Sequence, residues 1–156
     1  MDIKYIEPFV LATQNLFLDS FKEEPEPQNA YLLSKDEDHN WGISGIIGIA
    51  GDTRGVVVVS FPEETAKEMV GRLVGRKITD LDEDVVDSIG EVVNIIAGNA
   101  KKGLEDYRLS ISLPTVITGP AHRISWPAGI PIIGIPFKTS AGRIHLSVGL
   151  EDLIKV

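Results

Sequence analysis

The sequence predicts an α+β fold: a mostly antiparallel sheet with long helices packed on one face. The whole of residues 1–156 is expected to form a single domain. The segments follow in the order helix, strands, helix, helix, strands, which is the pattern of an α+β architecture. The strand-like runs are joined by short turns, the signature of antiparallel neighbours. The chain of 156 residues is 43% apolar and 24% charged, enough apolar surface for one real core.

The first element is an amphipathic helix over residues 2 to 21. Ile3, Ile6, Val10, Phe17 and Phe21, with Phe9 and Leu16 beside them, recur at helical spacing, and Pro8 limits the first turn. Glu23 to Asn29 (EEPEPQN) is a polar, proline-bearing connection. Tyr31 to Ser34 is read as a short strand and Asp36 to Asn40 as a charged loop. Two longer strands follow, Trp41 to Ala50 and Gly55 to Phe61, turned into a hairpin by Gly51-Asp52-Thr53-Arg54. The run VVVVSF in the second is rich in β-branched residues and belongs in the middle of a sheet. A helix begins after Pro62 with Glu63 and Glu64 in its first turn and stops at Gly75.

Asp80-Leu81-Asp82-Glu83 has the spacing of a capping box, with Asp80 as N-cap and Glu83 at N3. It is expected to open a long helix running to about Asp106. The remainder is strand-like: Leu109 to Leu113, Thr115 to Gly119, Ile130 to Lys138 and Arg143 to Leu150. Thr139-Ser140-Ala141-Gly142 turns the last two into a hairpin, and Pro131 and Pro136 mark an edge or an irregular strand.

Composition removes several function classes. The sequence contains no cysteine, so disulfides, thiolate metal sites and Cys nucleophiles are excluded. The net charge of −8 repels a phosphate backbone, so no nucleic-acid partner is expected. Ile43 to Ala50 is too short and glycine-rich to span a bilayer, and no basic region followed by an apolar core opens the chain. A cytoplasmic protein with no membrane partner is expected. Gly42 to Gly48 lacks the Lys-Ser/Thr ending of a phosphate loop. His39, His122 and His145 lack metal-ligand spacing, so packing or surface roles and no metal site are expected. His145 alternates with Ile144 and Leu146 and should face away from them. Trp41 and Trp126 flank turns and are read as loop anchors.

The long helix carries the informative anomaly. Gly90, Asn94 and Gly98 interrupt it, at a cost on the order of 2 kcal/mol in helix propensity. At 100° per residue, Asp87, Glu91, Asn94, Gly98 and Glu105 share one stripe within about 40° of Asp87. Val85, Ile89, Val92, Val93, Ile96, Ala100 and Leu104 form the opposite, core-facing side. Gly90 lies off the stripe, where a neighbouring helix could pack closely. Glu91 and Asn94 are neighbours at i and i+3, with Gly98 one turn beyond and no side chain there. Asn can hold a water in one orientation, and a carboxylate can accept a charge-assisted bond from a lysine on a partner. Neither is a strong nucleophile. Such positioning chemistry suits attack of water on a phosphoryl group.

Asp87-x-x-x-Glu91-x-x-Asn94, then Ile95-Ile96-Ala97-Gly98 and Pro114-Thr115-Val116-Ile117-Thr118-Gly119, resembles the CheC/CheX/FliY phosphatases of bacterial chemotaxis. Ser60-Phe61-Pro62-Glu63-Glu64-Thr65-Ala66 and His145-Leu146-Ser147-Val148 are similar to the CheX branch in particular. The resemblance covers most of the chain from about Gly42 onward. It implies a CheC/CheX-like fold and hydrolysis of the phosphoaspartate of a CheY-type response regulator. Asn94 would orient the attacking water, and Glu91 would pair with a lysine beside the phosphoaspartate as the helix enters the regulator's site. Asp87 would support, Gly98 would leave room for the partner, and Pro114 would support or touch it. Pro114 stands slightly closer to Asn94 than in the family's usual pattern. The resemblance further implies no cofactor on this chain, a Mg²⁺ ion on the regulator, and a homodimer with one motif per chain. The rival readings are a non-catalytic module that docks a receiver domain or flagellar motor component, and a structural dimer whose sheet edges pair.

Overall fold

The computed structural model describes residues 4–34, 37, 41–120 and 122–154. Ile3 and His39 lie outside the described residues, as does most of the loop expected between Asp36 and Asn40. The elements in chain order are α1 (Glu7–Phe21), β1 (Glu26–Pro27), β2 (Tyr31–Leu32), β3 (Ile43–Gly51), β4 (Gly55–Phe61), α2 (Glu63–Val74), α3 (Glu83–Lys102), β5 (Leu109–Ile111), β6 (Thr115–Thr118), β7 (Ile133–Thr139) and β8 (Gly142–Leu150).

Among the described residues, all eight strands join one sheet in the order β1-β7-β8-β4-β3-β5, with β2 also on β7 and β6 also on β3. Every pairing is antiparallel. β4 is central, as its β-branched run predicted, and each of its seven residues is buried. Its side chains alternate: Val57, Val59 and Phe61 join the main core, while Val56 and Val58 face a smaller cluster on the other side of the sheet. The main core is filled by Phe9 and Phe17 of α1, Met69 and Val70 of α2, and Ile89, Val93 and Ile96 of α3. The helices therefore cover one face, and α3 packs on β3, β4, β5 and β6.

The first helix begins later than its pattern suggested. Pro8 occupies its first turn, and the buried side is Phe9, Ala12, Thr13, Leu16 and Phe17. Val10 and Phe21 are only half-buried against the core. The polar connection after α1 is not wholly irregular, because Glu26 and Pro27 pair with Lys138 and Phe137 of β7. Pro136 explains why this edge is split into two short strands. Its carbonyl accepts from the Gln28 N–H at 2.8 Å. A strand residue's N–H lies on the same side as its C=O, so the missing proline N–H falls between β1 and β2, where no ladder bond is lost. The second helix ends as read: Gly75 adopts φ +73°, and its N–H reaches the Gly71 carbonyl.

Candidate functional site on the third helix

The start of α3 differs from the expected capping box. Asp82, not Asp80, is the N-cap, and its carboxylate accepts the Val85 N–H at 3.1 Å. Val85 then stands at N3, so Glu83 has no reciprocal bond to make. Arg76 selects this start: its guanidinium donates to Asp82 at 2.9 Å and to Asp84 at 2.7 Å. The Arg76 bond, then the Val85 N–H, holds the Asp82 carboxyl below its ordinary range. The helix ends at Lys102 with Lys101 and Lys102 in its last turn, opposite in sign to the negative helix terminus. The expected extension to Asp106 is a turn instead.

The apolar side of α3 is fully engaged. Val85, Ile89, Val93, Ile96 and Ala100 are all 0% exposed, so rotation of the helix about its axis would break the core. That burial aims the opposite stripe outward. Asp87 and Glu91 are exposed, and Asn94 and Gly98 are half-buried. Among the described residues, the side chains of Asp87, Glu91 and Asn94 have no hydrogen-bond or ion-pair partner. A Cβ added to Gly98 would meet nothing within 4 Å. Nothing in this chain's own packing requires that glycine.

Gly90 behaves differently. Its Cβ would meet Val116 at 3.5 Å and Pro114 at 3.8 Å. It packs against β6 and the segment entering it, rather than against a helix. Pro114 is thereby placed beside α3, one turn before Asn94. The residues before Pro114 are pinned to β3: Ser112 Oγ accepts from Gly48 N–H at 2.9 Å and donates to the Leu113 carbonyl at 2.9 Å. Leu113 is left 88% exposed, next in chain to the proline. No spacing in the sequence singled out Ser112 or Leu113.

The remaining candidates lie elsewhere. His145 is buried on the sheet face turned away from the helices, opposite to Ile144 and Leu146 as its alternation predicted. The Trp41 ring lies tilted against it, with centroids 5.4 Å apart. Trp126 packs against the smaller apolar cluster. Among the described residues, no group of three or more His, Asp or Glu side chains converges as a metal site would need. No described helix is long and apolar enough to cross a membrane.

The family model described as "Chemotaxis phosphatase CheX" matches residues 43–138, which include the whole of α3 and Pro114. A Thermotoga maritima protein described as "CheY-P phosphatase CheX" is 29% identical over 154 residues, 95% of this chain and 97% of that one. The chemotaxis protein CheX of Desulfovibrio desulfuricans is 33% identical, with a TM-score of 0.86 over 96% of this chain and 100% of that one. Borrelia burgdorferi CheX, solved as a complex with CheY, BeF3 and Mg²⁺, is 28% identical, with a TM-score of 0.81 over 97% and 100% of the two chains.

Proposed function

This chain belongs to the CheX family of chemotaxis phosphatases, and on that premise we propose that it hydrolyses the phosphoaspartate of a CheY-type receiver domain through the outward stripe of α3. In this reading Asn94 holds one water in line with phosphorus, donating with its amide N–H and accepting with its carbonyl oxygen. Water oxygen bonds to phosphorus as the bond to the aspartyl oxygen breaks. Inorganic phosphate and a free carboxylate are released, and the water's surplus proton goes to solvent. Glu91 accepts a bond from a lysine ammonium beside the phosphoaspartate and fixes the register of docking. Catalysis is then mostly positioning and electrostatics. The Mg²⁺ ion belongs to the receiver. Asp87, Gly98 and Pro114 line the docking surface, and Leu113 adds an apolar contact at its edge.

The observation that carries this reading is the pairing of Glu91 and Asn94 on one immobilised helix, both without an intramolecular partner among the described residues, one turn before a glycine with open space around it. The Thermotoga relative's name and the Borrelia complex with CheY support it. A homodimer and a cytoplasmic location go with it; sedimentation at micromolar concentration checks the dimer, and a monomer would count against it.

The test is the decay of receiver phosphate with wild type, with Asn94→Ala and with no added protein. Asn94→Ala should lose about ten- to hundredfold in stimulated rate, or roughly 1.4–2.7 kcal/mol of barrier, while still docking. Equal decay in all three would remove the enzymatic reading. Docking without any acceleration by wild type would favour the non-catalytic module.

A further inference from the structure

The sheet face turned away from the helices holds a cavity of about 730 Å³, a size typical of small-molecule sites. Its apolar wall is formed by Leu33, Trp126, Ile130 and Ile132. Its floor is polar for a reason rooted in strand register. Ser44 of β3 pairs with Ser60 of β4, and Ser60 pairs with His145 of β8. Side chains of directly paired residues share a face, so three polar groups meet where Val56 and Val58 continue the same face as apolar surface.

The hydrogen bonds on this floor have a direction that follows from their ends. His122 Nδ1 lies 3.0 Å from the Gly119 carbonyl oxygen, which can only accept, so Nδ1 carries the proton. In the neutral ring Nε2 is then bare and accepts from Ser44 Oγ at 2.7 Å. The Ser44 proton is thus committed, and the 2.7 Å contact between Ser44 and Ser60 uses the Ser60 proton. A second relay starts at Tyr31, which donates to Glu37 at 2.7 Å; burial first, then that bond, pushes the Tyr31 hydroxyl above its ordinary range and keeps its proton on. Tyr31 oxygen therefore accepts from His145 Nε2 at 2.7 Å. In the neutral ring His145 Nδ1 then accepts the Ser147 proton at 3.1 Å.

Both relays end at the cavity. Ser60 and Ser147 line it, are 2% and 3% exposed, and have each spent their only proton on the floor. They offer lone pairs alone. Glu37, which accepts from Tyr31, also lines the cavity. A ligand must bring the protons. The indole of Trp126 presents an aromatic wall that attracts a cation. Arg123, the one cationic Lys or Arg side chain among the described lining residues, is exposed.

We propose that this cavity is a second binding site, remote from α3, for a small molecule carrying a protonated amine on an apolar body, its N–H groups directed at Ser60 and Ser147. The site does not depend on the phosphatase reading. The test is titration of the full chain with 2-phenylethylamine, 2-phenylethanol and 3-phenylpropionate, read by tryptophan fluorescence and by ligand-detected NMR. The amine should bind saturably and at least about tenfold tighter than the carboxylate. Ser60→Ala with Ser147→Ala should weaken the amine by about tenfold or more, the loss expected for hydrogen bonds to a charged donor, and should leave the alcohol less affected. Trp126→Ala, in the exposed segment that forms the wall, should weaken all three probes without touching the floor. Absence of saturable amine binding, equal or tighter binding of the carboxylate, or an unchanged amine affinity in the well-folded serine double variant would each overturn the proposal.

Discussion

Gly90 of α3 stands against Pro114: a Cβ at Gly90 would lie 3.8 Å from the proline Cγ. That contact ties the segment before β6 to the helix one turn ahead of Asn94, and it sets Gly90 apart from Gly98, which has open space around it.

Gly90→Ala and Gly98→Ala form a matched pair. Each removes a helical glycine and should raise stability by up to about 1 kcal/mol, since 3.5 Å from Val116 is ordinary contact at Gly90 and Gly98 has open space. Gly90→Ala should leave phosphatase activity intact. Gly98→Ala should lower it by about tenfold, the effect of one methyl overpacking a close interface. Thermal melts and phosphate-decay rates on both proteins check this. Equal activities would free Gly98 of any role in docking.

Glu91→Gln keeps the shape and removes the charge. Its Kd for the phosphorylated receiver should rise by about five- to tenfold with the turnover at saturation preserved, and the salt dependence of binding should flatten. A fall in saturated turnover with unchanged Kd would place Glu91 in the chemical step instead.

Leu113→Ser removes the most exposed large apolar side chain among the described residues, at 88%. Docking should weaken by up to about tenfold, the value of burying part of a leucine, with no loss of stability. Calorimetric titration against the receiver decides it, and an unchanged Kd would put Leu113 outside the contact.

The start of α3 should be acid-sensitive. The folded Asp82 carboxyl is held below the ordinary 3.8, chiefly by Arg76. A depressed carboxyl contributes stability above its unfolded value and loses it as pH falls through its folded value. Arg76→Ala should therefore lower the melting temperature by a few degrees at neutral pH, less at high salt because the pair is exposed. The gap between variant and wild type should shrink as pH falls below 3.8 and through the lower folded Asp82 value. A gap that persists there would assign the effect to packing of the arginine stem.

Local chemistry was enough for much of the architecture. The β-branched run of Gly55–Phe61 appears as the buried central strand. Glu63–Val74 starts after its proline and stops at its glycine. The periodicity of α3 separates core from solvent residue by residue, because a 3.6-residue repeat allows one buried side only.

Contacts between distant residues settled the rest. Asp80 and Asp82 compete on equal local terms for the cap, and Arg76 resolves the choice by binding Asp82 and Asp84. Glu26 and Pro27 have little strand propensity, and they pair because β7 offers an open edge beside Pro136. Ser44, Ser60, His122 and His145 share no linear spacing. Strand register and the segment after β6 bring them to one floor. Periodicity is a property of neighbours along the chain and can be read from it, whereas a cap shared between acids, a paired edge and a polar floor are properties of neighbours in space.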